Sequence, residues 1–85
     1  MLRGQITFAG ISAKSGSVIV KHGLLSGREI EILRRVSHGL SNQDIADQLS
    51  ITLGTTKGHL HRIFRKLDVR NRTAAVAVAR ELGLL

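Results

Sequence analysis

The apolar positions of this chain fall into two regimes. From residue 25 onward they recur at three- and four-residue intervals, interrupted by polar residues of helix-capping type. Before that the period is weak. Ile6, Phe8 and the run Val18-Ile19-Val20 are set among Gly4, Gly10, Gly16, Gly23 and small polar residues. This pattern predicts short strands, with a hairpin about Lys14-Ser15-Gly16. We read 1–24 as a poorly structured segment, a linker or the tail of a preceding region.

Residues 25–85 read as an all-α domain of four capped helices. Ser26 opens the first, with Glu29 three positions on, so the two can form a capping box. Leu25 and Ile30 flank that cap as a hydrophobic staple. Ile30, Leu33 and Val36 form the apolar stripe, and Gly39 suits the left-handed residue that ends a helix. The second helix repeats the device with Ser41 and Asp44, stapled by Leu40 and Ile45, and turns Ile45, Ala46 and Leu49 inward. Thr52 caps the third, placed near 53–67. There Thr56, Leu60, Ile63 and Leu67, spaced 4, 3 and 4, share one face. Gly54, Gly58, His61, Arg62 and Arg65 lie on the opposite face, with Thr55, Lys57 and Lys66 at its margins. At ~1.5 Å per residue that helix is about 22 Å long. A short capped helix, a tight turn and a longer helix with an apolar and a basic side make a helix-turn-helix, the layout that enters a DNA major groove.

The fourth helix starts after Asn71 and ends at Gly83. Its run Ala74-Ala75-Val76-Ala77-Val78-Ala79 is apolar all round, which predicts burial on more than one side. One side packs on the other helices. The other is either a harmless Ala-rich surface or a seam between two copies, with the dimer the favoured of the two.

Charge sharpens the picture. The 85-residue chain carries a net +7, and residues 53–72 hold six basic residues against Asp68 alone, a local +5. Residues 26–52 hold three basic and four acidic residues. The positive charge therefore sits on one helix and the turn after it, a polyanion site. Phe8 and Phe64 are the only aromatics, so stacking of single-stranded bases is disfavoured. Cys is absent, which removes disulfides and thiolate metal sites. His59 and His61 are two apart and point about 200° apart on a helix, so they cannot share an ion, and neither His38 nor His22 restores ligand spacing. No nucleophile, base and orienter stand together, and the acids lie at helix starts where capping explains them. The sequence therefore calls for no metal, no cofactor and no enzymatic activity. No apolar run reaches membrane-spanning length and no signal peptide opens the chain, so a cytoplasmic protein without membrane contact is expected.

These residues resemble the LuxR/FixJ-type (GerE-like) helix-turn-helix family of bacterial transcription regulators. The likeness covers about 25–85 and runs through Leu25-Ser26-Gly27-Arg28-Glu29-Ile30-Glu31-Ile32-Leu33, Gly39-Leu40-Ser41-Asn42-Gln43-Asp44-Ile45-Ala46, Thr55-Thr56-Lys57-Gly58-His59-Leu60, Lys66-Leu67-Asp68-Val69 and Arg72-Thr73-Ala74-Ala75-Val76. The closing Ala79-Arg80-Glu81-Leu82-Gly83-Leu84-Leu85 resembles the end of such proteins.

The resemblance implies a four-helix domain that binds double-stranded DNA for transcription regulation, as a homodimer through the last helix. Lys57, Gly58 and His61 match positions that reach base edges, and Arg62 and Arg65 share their helical face. Asn42, Thr52, Thr55, His59, Lys66, Arg70 and Arg72 match the set that meets phosphate or sugar. Ala74, Ala75, Val78, Ala79 and Leu82 would form the dimer interface. Lys57, Arg62 and Arg65 can each serve a guanine edge or a phosphate.

Three positions depart from the family. Thr56 stands where Val is usual and weakens the staple unless its hydroxyl finds a carbonyl. Gly58 leaves a groove-facing position bare. Arg62 replaces a frequent Asn. The competing class is a helical protein-interaction module, with RNA polymerase or a regulatory partner meeting the basic face; a sigma-factor-like promoter reader is a weaker alternative.

Overall fold

A computed structural model describes residues 18–20 and 22–84. Ile6, Phe8 and Lys14-Ser15-Gly16 lie outside the described residues. The strand expected at 18–20 is present as β1 (Val18–Val20). It pairs antiparallel with β2 (Gly23–Leu25), and Ile19 stands opposite Leu24. His22 lies in the turn before β2. Four helices follow: α1 (Gly27–Ser37), α2 (Asn42–Leu49), α3 (Leu53–Leu67) and α4 (Arg72–Glu81).

Each helix begins where its capping residue dictates. The Ser26 hydroxyl accepts the Glu29 N–H at 3.1 Å, and Glu29 Oε1 accepts the Ser26 N–H at 2.9 Å. Ser41 and Asp44 form the same reciprocal pair at 3.0 and 3.2 Å. Thr52 Oγ1 accepts from Thr55 N–H at 3.0 Å, and Asn71 Oδ1 from Ala74 N–H at 2.8 Å. Such caps contribute about 1 kcal/mol each by satisfying amide groups that the first turn leaves open.

The helix ends share one device. Gly39, Ser50, Asp68 and Gly83 adopt left-handed backbone conformations. In each case the next N–H reaches five residues back: Leu40 to the Arg35 carbonyl, Ile51 to Ala46, Val69 to Phe64 and Leu84 to Ala79. An apolar residue follows every left-handed one, as this motif favours. Glycine accepts that conformation freely. Ser50 and Asp68 hold it against a cost of roughly 1 kcal/mol, because α2 and α3 must stop there.

The core forms where α1 packs on α3 and α4, and α2 packs on α3. Ile32, Leu33, Val36, Ile45, Leu60, Ile63 and Leu67 are buried in it, joined by Leu25 from β2 and by Leu82 and Leu84 past α4. Each fully buried Leu or Ile contributes about 1.5–3 kcal/mol. The short hairpin is thus fastened to the helices by Leu25 and by the His22 N–H, which donates to the Lys66 carbonyl at 3.0 Å.

Candidate nucleic-acid interface

The interface is built on α3. Thr56, Leu60, Ile63 and Leu67 are buried, as their spacing requires. Thr56 is wholly buried and its hydroxyl donates to the Thr52 carbonyl at 3.1 Å. The departure from an apolar residue is thereby accommodated: the one polar atom bonds inside its own helix, and its methyl packs inward. With that side locked, the remaining residues have one direction left. Gly54, Thr55, Lys57, His61, Arg62 and Arg65 are exposed, and Gly58 and His59 are half-buried. A Cβ built on Gly58 would meet nothing within 4 Å, so the helix surface is bare at its middle.

Hydrogen bonds and charge order this face. Arg62 Nη2 donates to His59 Nδ1 at 3.0 Å, and its Nε lies 3.9 Å from Glu29 Oε2. Because a guanidinium only donates, Nδ1 is the accepting nitrogen and Nε2 carries the ring proton. Burial, then the charges of Arg62 and Arg28, hold the His59 pKa below the ordinary histidine value, against an opposing pull from Glu29. The ring is therefore neutral at neutral pH. Beyond α3 the basic surface runs into an open cleft of about 590 Å³, lined by His22, Arg62, Phe64, Arg65, Lys66, Asp68, Val69 and Arg70.

Beneath this face lies a charge that sequence reasoning missed. Glu29 is only 4% exposed. Its Oε1 accepts from both the Ser26 N–H and Lys66 Nζ, the latter at 2.8 Å. Burial raises the Glu29 pKa; the Lys66 hydrogen bond, the Ser26 N–H, and the charges of Lys66 and Arg62 outweigh it and hold the carboxyl below the usual range. The capping box accounted for Glu29 and so hid its second role. Nothing near Glu29 in the sequence points to Lys66, which lies 37 residues away.

The expected site residues divide accordingly. Lys57, Gly58, His61, Arg62 and Arg65 come together on one face of α3. Asn42 stands at the start of α2, Thr52 and Thr55 at the start of α3, and Arg70 in the turn after it. Two cations expected to meet phosphate are already engaged. Lys66 Nζ bonds Glu29 and the Leu24 carbonyl, both at 2.8 Å. Arg72 donates to Asn42 Oδ1 at 2.8 Å and to the Leu40 carbonyl. The fourth helix needs a correction. Ala75 and Ala79 are fully buried and Leu82 nearly so, all within the monomer's own core. They cannot form an outer seam. Ala74, Val76 and Val78 are half-buried and Ala77 is exposed, and the exposed Ala77 lies with Ala74 and Val78 on one side of α4.

Comparison with known proteins completes the picture. Residues 23–79 match the family model described as bacterial regulatory proteins, luxR family. The chain is 41% identical over 58 residues to the uncharacterized transcriptional regulatory protein YxjL of Bacillus subtilis (strain 168), covering 68% of this chain and 27% of that protein. It is 38% identical over an alignment of 92 residues to the probable csgAB operon transcriptional regulatory protein of Salmonella typhimurium, covering 95% of this chain and 41% of that one. A solved structure, the response regulator ChrA of a heme-sensing two-component system, superposes with a TM-score of 0.68 at 51% identity, over 72% of this chain and 30% of ChrA. The chain thus spans well under half the length of these relatives. Its four helices, its exposed basic helix and the match over residues 23–79 together place it in the luxR family of bacterial regulatory proteins, whose module is a DNA-binding helix-turn-helix of transcription regulation.

Proposed function

We propose that this chain binds double-stranded DNA sequence-specifically, with α3 in the major groove. The observation that carries the reading is the division of α3 into two sides. Thr56, Leu60, Ile63 and Leu67 are locked in the core, which leaves Lys57, His61, Arg62 and Arg65 exposed on the other side. Lys57, Gly58, His61, Arg62 and Arg65 face the bases in this reading. His61 can donate or accept, and the arginines have the reach for a guanine edge. Thr52, Thr55, His59 and Arg70 meet the phosphates, and Asn42 joins them from α2. His59 acts there through its Nε2 proton rather than through charge.

A module this small gains affinity by pairing. Two copies joined through the outer side of α4, at Ala74, Ala77 and Val78, would read half-sites about 10 bp apart or an integral number of turns apart. As in the regulators it resembles, the output is control of transcription. We assign the helices and the hairpin fastened to them to the DNA-binding unit, and the segment before the hairpin to a linker or tail.

Titration of a labelled mixed-sequence duplex at two salt concentrations tests the reading. The parent should lose affinity steeply with salt, and Lys57→Ala and Arg65→Ala should bind more weakly. Salt-independent binding, or none at millimolar duplex, would exclude it. Sedimentation of Ala77→Glu tests the pairing, because that exposed site can take a charge without disturbing the monomer. Equal mass for parent and variant at high concentration would remove α4 as the seam.

A further inference from the structure

Arg72 lies in the basic region, yet its guanidinium is spent inside the monomer. Nη1 donates to Asn42 Oδ1 at 2.8 Å, and Nη2 donates to the Leu40 carbonyl. The first residue of α4 is thereby tied to the first residue of α2 and to the loop before it. A guanidinium has donors only, so it can hold only the oxygen end of the Asn42 amide. The nitrogen end is thus turned the other way. Its two N–H donors have no bonded acceptor among the described residues, and no buried side-chain nitrogen or oxygen there lacks a partner, so Nδ2 reaches solvent.

The surroundings of Nδ2 suit an oxyanion. The backbone N–H groups of Asp44 and Ile45 are taken by the Ser41 hydroxyl and carbonyl. Those of Asn42 and Gln43 have no such acceptor and open the helix beside the Asn42 amide. Asp44 is the one acid of this turn, its carboxylate accepting the Ser41 N–H at 3.2 Å. In a helix-turn-helix the first helix crosses the sugar–phosphate backbone, so this end of α2 has a phosphate as its natural neighbour.

We propose that Arg72 is a positioning residue for DNA binding. It holds the Asn42 amide with Nδ2 outward, and Asn42, not Arg72, donates to the phosphate. This inference rests on the DNA-binding reading above and reassigns one of its cations. Lysine is a poor replacement for Arg72, because its donors all leave one nitrogen, whereas Oδ1 and the Leu40 carbonyl are met by two separate nitrogens, Nη1 and Nη2, held in one plane.

A double-mutant cycle on the 85-residue chain tests it, using Asn42→Ala, Arg72→Gln and their combination, with Arg72→Lys as the charge-conserving variant. Affinity for a mixed-sequence duplex is measured across a salt series, and thermal unfolding is followed in parallel. Asn42→Ala and Arg72→Gln should each weaken binding about five- to tenfold, the scale of one hydrogen bond to a charged acceptor. The double variant should be no weaker than either single one, and the salt slope should stay that of the parent. Arg72→Lys should bind as poorly as Arg72→Gln although its charge is kept. It also carries the test with Asn42→Ala if Arg72→Gln fails to fold.

A direct phosphate role for Arg72 predicts the opposite: multiplicative losses, near-parent binding by Arg72→Lys, and a slope shallower by about 0.9 in Arg72→Gln. Any of these overturns the proposal while leaving the DNA-binding reading intact. A parent that does not bind the duplex removes both.

Discussion

Replacing Lys66 with methionine should damage the fold far more than the interface. Lys66 Nζ lies 2.8 Å from Glu29 Oε1 and 2.8 Å from the Leu24 carbonyl, and the Lys66 side chain is only 28% exposed. Methionine keeps much of the stem that packs beside Gly23 and deletes the ammonium. Glu29, 4% exposed, would keep, among the described residues, the Ser26 N–H and an Arg62 guanidinium 3.9 Å away. Breaking a fully buried ion pair from one side costs ~3–5 kcal/mol. Partial exposure of Lys66 and the remaining Arg62 lower the expectation for Lys66→Met to about 2–3 kcal/mol.

The opposite truncation should be milder. Glu29→Gln keeps an acceptor for Ser26 N–H and leaves an ammonium that can extend to water, so about 1 kcal/mol is expected. The double variant should lose less than the sum of the two. Urea unfolding followed by helical circular dichroism at neutral pH gives all three values. A pH series adds a sign. Glu29 has a depressed pKa in the folded state, so its contribution is present above the unfolded carboxyl pKa and fades as pH falls through the folded value. Glu29→Gln should flatten that acid loss. Lys66→Met within 0.5 kcal/mol of the parent (about the limit for an inert surface site), or less stable Glu29→Gln than Lys66→Met, would refute the reasoning.

Other expectations follow from single sites. Gly39 and Gly58 both have open space where a Cβ would stand, but Gly39 has φ +86° and Gly58 is helical. Gly39→Ala should therefore cost about 1 kcal/mol and Gly58→Ala should add about as much, measured by thermal unfolding; changes of the same sign would contradict the backbone argument. Thr56→Val should be neutral or stabilising by up to about 1 kcal/mol, because the Thr52 carbonyl keeps its bond from the Thr56 N–H at 3.0 Å; a loss above that size would show that the hydroxyl is needed. His59, titrated by NMR, should protonate below an ordinary histidine, and stability should fall as pH drops from the unfolded His value through the lower folded one. A raised pKa would mean that Glu29, not Arg62 and burial, governs the ring.

The helix boundaries were legible because their signals are local. Ser26, Ser41, Thr52 and Asn71 each act on N–H groups within three residues, and Gly39 and Gly83 mark ends by their own backbone freedom. The left-handed Ser50 and Asp68 were not legible, since nothing in those residue types demands the conformation. The two faces of α3 followed from period alone. The partners of Lys66 and Arg72 did not, because they lie 37 and 30 residues away, and a basic residue near a basic helix reads as another free cation until packing supplies its acceptor. In α4 the alanine run looks the same on every side. Only the packing of α1 against it assigns Ala75 and Ala79 to the core and leaves Ala77 outside.

The placement of α3 in the major groove is tested most directly by methylation interference. A duplex pool selected for binding to this chain is methylated at guanine N7, in the major groove, and at adenine N3, in the minor groove, and bound and free fractions are compared. The account predicts that N7 methylation blocks binding in two clusters separated by about one helical turn or a multiple of it, and that Lys57→Ala or Arg65→Ala erases interference at individual guanines. Interference confined to adenine N3, or binding indifferent to both modifications, would contradict it.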